Sequence, residues 1–140
     1  MNWLPGQVGD APDSGMGQFT VPVQVGPRAG GPLASVDALV DTGATYSSIP
    51  RDVLDALGVV PEEEWPFVLA DGREVHYPIA WINIRMRDRA QPTIVVFGDL
   101  GSHPILGMVT LEEFRLTVDP VNRRLVPVPA RLGSSMLASV

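Results

Sequence analysis

One carboxylate in this chain stands where an apolar strand has to stop. Ala38-Leu39-Val40 leads into Asp41, and Thr42-Gly43-Ala44-Thr45 follows. An Asp delivered this way suits general acid or base work, because it can reach a surface while the strand behind it is anchored. The plainer alternative is an Asp that forms or caps a turn. Other chemistry is poorly supplied. Thr45, Ser47 and Ser48 offer hydroxyls, but no Gly-x-Ser-x-Gly and no credible His and Asp partners accompany them. His76 and His103 have no metal-ligand spacing, and His76 reads as a surface residue. The absence of Cys excludes disulfides, thiol catalysis and Cys-bound zinc. Asp99 reads as a solvated loop residue and Asp119, before Pro120, as a turn former. Trp65, Phe67 and Trp81 read as core or hairpin-supporting aromatics.

The elements that must position Asp41 are short. Fourteen Gly and fourteen Pro punctuate 140 residues, which favours strands and turns over long helices. Phe19-Val21-Val23-Val25 alternates with Thr20, Pro22 and Gln24, so one face is buried, and Pro22 marks an edge strand or a bulge. Leu33 to Val40 forms the next strand, Thr45 to Pro50 an extended piece, and Arg51 to Leu57 a short helix with Gly58 at C′. Glu62-Glu63-Glu64 reads as a solvated acidic stretch. Phe67 to Ala70 and Arg73 to Tyr77 form a hairpin around Asp71-Gly72, a two-residue turn signal. Ile79 to Met86 is a strand, Arg87 to Pro92 a turn, and Thr93 to Phe97 a buried strand. Val109 to Phe114 forms a helical turn, Asp119 to Asn122 a turn, and Leu125 to Val128 the last strand.

The hydrophobic content of 45% supports a single core. The expected organisation is one domain over residues 18–128, a loose N-terminal arm over 1–17 and a tail over 129–140. A net charge of −6 argues against nucleic acid as a partner. No apolar run reaches the ~20 residues of a membrane span, and Met1 to Gly17 lacks the pattern of a secretory signal. A cytoplasmic protein is the default expectation.

Five segments, in order, resemble the retropepsin-like aspartic proteases, the single-domain dimeric relatives of pepsin, and their bacterial soluble branch more than the viral one. They are the strand with Asp41-Thr42-Gly43-Ala44-Thr45; the helix closed by Leu57-Gly58-Val59; the hairpin with Ala70-Asp71-Gly72; Ile105-Leu106-Gly107; and Val118-Asp119-Pro120 through Leu125-Val126-Pro127. The resemblance implies an all-β, closed acid-protease barrel with one or two short helices, acting as a symmetric homodimer. It implies an endopeptidase with a peptide or protein substrate and no metal or organic cofactor. Asp41, with Thr42 and Gly43, would be the catalytic triplet, Thr42 bonding across the dimer axis. Ala44 would touch substrate, the hairpin tip Ala70-Asp71-Gly72 would close over it, and Ile105-Leu106 would lie at or beneath the groove. Such a protease needs two carboxylates sharing one proton. This chain has one triplet, so a second copy would bring the other. Val40, Ile79, Ile105 and Leu106 suggest a groove that prefers apolar residues. Viral members carry a polar pair where this chain has Thr45 and Met108. The alternative is the same fold as a weak or inactive dimerising or peptide-binding module.

Overall fold

Period-two alternation opens the barrel. In the computed structural model, which describes residues 18–129 and residue 133, Val23 and Val25 face the core from β1 (Thr20–Pro27) while Pro22 just before them is exposed and Gln24 between them half-buried. β2 (Ala34–Val40) returns antiparallel, Thr20 opposite Leu39 and Val25 opposite Ala34, and its last three residues are buried. The chain continues through β3 (Ser47–Pro50), α1 (Arg51–Ala56), β4 (Glu63–Val68), β5 (Glu74–Met86) and β6 (Arg89–Gly98). It ends with β7 (Ile105–Leu106), α2 (Met108–Glu113), β8 (Leu116–Asp119) and β9 (Arg124–Pro127). The arm expected over 1–17 and most of the expected tail lie outside the described residues.

β1, β2, β7, β3, β6 and β5 are neighbours in that order, and pairing of β1 with β5 closes them into a six-stranded barrel. Closure removes the open sheet edges that invite association. The all-β class read from the sequence is the class observed. The first half of β1 behaves as an edge: Thr20–Val23 pair with β2 alone, Gln24 and Val25 with both β2 and β5, and Gly26 and Pro27 with β5 alone. Pro22, which has no N–H to donate, lies in the single-sided half. β4 sits outside the ring on β5, and β8 with β9 forms a separate two-stranded sheet. Ile49, Ile82, Ile84, Leu106, Leu111 and Phe114 fill the centre with essentially no exposure. Each such side chain is worth roughly 2 kcal/mol of burial.

Helix α1 ends as its sequence requires. Gly58 takes φ 80° at C′, its N–H donates to Asp55 O, and Val59 N–H reaches back to Leu54 O. That is a Schellman closure, and both Leu54 and Val59 are buried in the core.

The hairpins depart from expectation in an instructive way. Asp71-Gly72 does not form a two-residue turn. Leu69 N–H donates to Arg73 O and Gly72 N–H to Leu69 O, which leaves a three-residue loop with only Gly72 at positive φ. Asp71 has a better use for its carboxylate: it accepts from Arg73 N–H and from the Arg73 guanidinium. The two-residue turn occurs instead at Arg87-Asp88, with φ 54° and 62° between the paired residues Met86 and Arg89. The turn expected over Arg87 to Pro92 is therefore shorter, and β6 begins at Arg89. The strands expected on either side of Pro78 fuse into the thirteen residues of β5. Glu62, Glu63 and Glu64 are exposed as expected, yet Glu63 and Glu64 open β4, Glu62 Oε2 accepts Trp81 N–H, and Glu63 Oε1 accepts Trp65 Nε1–H. Among the described residues, no helix is long and apolar enough to cross a membrane.

Candidate active site

Asp41 follows directly on the buried end of β2. Val40 N–H donates to Phe19 O at 2.9 Å and Asp41 N–H to Leu106 O at 3.0 Å, so the backbone on entry is gripped from both neighbouring strands. The chain then turns sharply. Ala44 N–H donates to Asp41 O at 3.1 Å, and Gly43 N–H donates to Asp41 Oδ1 at 2.9 Å. Thr42 and Gly43 are exposed, Asp41 and Ala44 half-buried. A Cβ on Gly43 would lie 3.2 Å from Asp41 Oδ1, crowding the oxygen that its amide binds. The carboxylate borders a cleft of about 410 Å³, shared with Phe19, Thr42, Val118 and Pro120.

The exit of the turn is held by a helix end. Helix α2 has no side-chain cap at its N-terminus. Its first amides need acceptors, and the loop supplies them: Met108 N–H donates to Ala44 O at 2.8 Å and Val109 N–H to Thr45 O at 2.9 Å. Gly107 precedes the helix with no room for a side chain. A Cβ there would come within 2.6 Å of Tyr46 backbone atoms and 2.9 Å of Ala44 O.

Beneath this junction lie three hydroxyls that the sequence reading did not single out as a group. Ser47 Oγ accepts Gly107 N–H at 3.0 Å and lies 2.6 Å from Thr110 Oγ1, which is 2.9 Å from Thr93 Oγ1. All three residues are fully buried. The signal available for Ser47 was its place two residues before buried Ile49, on the inward face of a strand. Nothing in the sequence joined it to Thr93 and Thr110.

The other expected site residues are more scattered. Leu106 has no exposed surface. It serves Asp41 through its carbonyl, and its side chain belongs to the core. Ile79 is equally buried and borders neither cleft, whereas Val40, although nearly buried, lines the Asp41 cleft beside the carboxylate. Ile105 is half-buried and borders a second cleft of about 290 Å³ with Ser48, Tyr77 and His103. Burial pushes the His103 imidazole below its ordinary pKa, against an opposing pull from Asp37. Ala70, Asp71 and Gly72 sit exposed at the hairpin tip and border neither cleft. The Arg73 backbone amide, and then its guanidinium, hold the Asp71 carboxyl below the usual carboxylate range.

The aromatic residues form a chain along the hairpin. Tyr46 meets Trp65 edge-on at 5.8 Å and Phe67 at 6.3 Å. Trp65 meets Trp81 at 6.2 Å, and Phe67 meets Tyr77 at 6.3 Å. Hairpin-supporting aromatics were expected, but not that Tyr46, beside the Asp41 loop, would be their anchor.

Comparison with known proteins agrees with this geometry. A structure of similar fold is the EIAV protease complexed with the inhibitor HBY-793, and a further match is the simian foamy virus (mac) protease. The first is 19% identical with a TM-score of 0.53, covering 69% of this chain and 88% of that one. The second is 15% identical with a TM-score of 0.48, covering 66% and 92%. No curated protein matches. Residues 32–113, from just before β2 to the end of α2, match the family described as "gag-polyprotein putative aspartyl protease". That stretch is more than half of the sequence and contains Asp41 with everything found to hold its turn except Phe19, and the chain belongs to this retropepsin-like aspartyl protease family.

Proposed function

We propose that this protein is an aspartic endopeptidase in which Asp41 from each of two copies activates a water between them. The observation that carries this reading is the Asp41 turn. Its backbone is fixed at entry by Leu106 O and at exit by Met108 N–H, while the carboxylate stands half-exposed at a cleft. A single chain offers one such carboxylate. An isologous contact about a two-fold axis would set a second one opposite. Thr42, exposed beside it, would bond across that axis.

The chemistry then follows from two like charges in close quarters. The pair retains one proton, since ionising both is costly. The ionised member takes a proton from water, and the protonated member supports the carbonyl oxygen and donates to the leaving amine. The β4–β5 hairpin would close over a bound peptide and exclude water. Half-buried Ile105 of β7 and Ala44 would meet the peptide. In the same reading the protein is of the bacterial branch, since Thr45 and Met108 stand where viral members carry a polar pair.

A second reading, a peptide-binding module with weak or no turnover, draws on the hairpin tip. There Asp71 and Arg73 pair with each other at 2.7 Å. One assay separates the two readings: cleavage of casein and of an unstructured peptide library from about pH 3 to about pH 8, wild type against Asp41→Asn, with mass followed by sedimentation. Cleavage by a dimeric wild type that is lost in a folded, dimeric Asp41→Asn supports the protease. Binding of the same peptides by both proteins without cleavage supports the module.

A further inference from the structure

We infer that Ser47, Thr110 and Thr93 form a positioning relay that fixes the Asp41 turn from beneath. The inference rests on the protease reading for its kinetic consequence and on geometry alone for its structural one. Hydroxyls are costly to bury unless each is satisfied. Apart from His103, these three are the buried polar side chains among the described residues. They come from three separate elements, β3, α2 and β6, and meet each other within 2.9 Å. The bond that leaves the group runs to the amide of Gly107.

That destination gives the relay its meaning. Leu106, on one side of Gly107, accepts the Asp41 N–H, and Met108, on the other, donates to Ala44 O. Both ends of the Asp41–Ala44 turn therefore hang on residues 106–108, and Ser47 Oγ holds the middle of that segment. Ser47 is the first residue of β3, only six positions after Asp41, so it also ties the segment back to the strand that the loop enters. Thr110 orients the Ser47 hydroxyl so that a lone pair faces the amide, and Thr93 orients Thr110 from β6, the strand paired beside β3. None of the three hydroxyls borders the Asp41 cleft. They act through Gly107 and are positioning residues.

A relay predicts a graded pattern that ordinary packing does not. Ser47→Ala and Thr110→Val should each raise the hydrogen-exchange rate of the Gly107 amide about tenfold or more. Each should lower kcat about tenfold with KM within about twofold, because a misplaced carboxylate costs rate rather than binding. Thr93→Val, farthest from Gly107, should do less on both counts. Thr110→Ser, which keeps the hydroxyl, should restore both to near wild type. Gly107 protection unchanged in folded Ser47→Ala and Thr110→Val would overturn the relay. So would a fall in kcat that Thr110→Ser shares equally. Should Thr110→Val not fold, Ser47→Ala and Thr93→Val carry the comparison. Exchange is read on protein without substrate. A wild type that cleaves nothing would thus sink the protease reading, while the Gly107 amide would still decide the relay.

Discussion

Gly107→Ala tests how tightly the Asp41 turn is held. Gly107 has φ −97° and ψ 178°, which any L-residue adopts, so alanine adds no backbone strain. What it adds is a methyl carbon 2.6 Å from the carbonyl carbon and oxygen of Tyr46 and 2.9 Å from Ala44 O. These are backbone atoms and cannot rotate away. Reaching an ordinary contact of 3.4 Å requires the two segments to part by ~0.8 Å. Overpacking of this kind costs roughly 1–3 kcal/mol of stability. The displacement passes to Leu106 and Met108, whose bonds of 3.0 and 2.8 Å hold the two ends of the turn. A catalytic group moved by ~1 Å loses on the order of a hundredfold in rate. The assay is denaturant unfolding together with peptide cleavage measured well below either unfolding transition. Gly58→Ala is the control: Gly58 has φ 80° with nothing within 4 Å of a Cβ, so it should lose about 1 kcal/mol from strain alone and keep its rate. Wild-type stability and rate in Gly107→Ala would refute the claim that close packing beneath the loop sets the position of Asp41.

Three further outcomes follow from the surroundings of the site. His103 has its folded pKa lowered by burial, so the unfolded chain binds its proton more readily; stability is complete above about pH 6.5 and is lost as pH falls from there toward the folded value. The thermal midpoints of wild type and His103→Gln should draw together below pH ~6.5, and curves that stay parallel would contradict this. The Asn122 side chain and backbone amide, ahead of Val121 N–H and Arg124, hold the Asp119 carboxyl below its ordinary value. Its contribution is present above the unfolded pKa and disappears as pH falls through the folded one. Asp119→Ala should therefore lower the midpoint at neutral pH and progressively less in acid, and an equal loss at both would speak against the carboxylate. Tyr46→Ala removes two edge-on ring contacts, together worth roughly 1–3 kcal/mol beyond burial. Tyr46→Phe should retain most of that in denaturant unfolding, and a Phe variant as unstable as the Ala one would discount the rings.

Local signals carried the fold well where one short-range force decided the outcome. Val23 and Val25 alternate into the core, Gly58 closes α1, and Asp119 makes its turn because each depends on near neighbours in sequence. Asp71-Gly72 misled because turn propensity was read without its competitor. The Arg73 amide and guanidinium draw the Asp71 carboxylate into a different loop, while Arg87 and Asp88 adopt positive φ under the constraint of two long paired strands. The same long-range pairing carries β5 through Pro78. At the site, the strand and the Asp41 triplet were legible. The hydroxyl group beneath was not, since it joins residues 63 and 17 positions apart that meet only through the pairing of β3 with β6 and the packing of α2 on both.

The turn around Asp41 and the start of α2 satisfy one another. A short helix with no capping side chain needs acceptors for its first amides, and a turn presenting a half-buried carboxylate needs its carbonyls tied down. Ala44 O and Thr45 O meet both needs with the same two bonds. Stability and site geometry are therefore coupled beneath the loop: a change that loosens the start of α2 also moves Asp41. The hairpin above is held differently, by ring edges at 5.8 to 6.3 Å and by an exposed ion pair at its tip. Such contacts are weak singly, and exposed ion pairs contribute little. The Asp41 turn is thus tied to the core by backbone bonds, whereas the hairpin tip beyond the β4–β5 ladder rests on contacts of small individual worth. An enzyme of the proposed kind, which would have to admit a peptide and then hold one carboxylate still, would use that division.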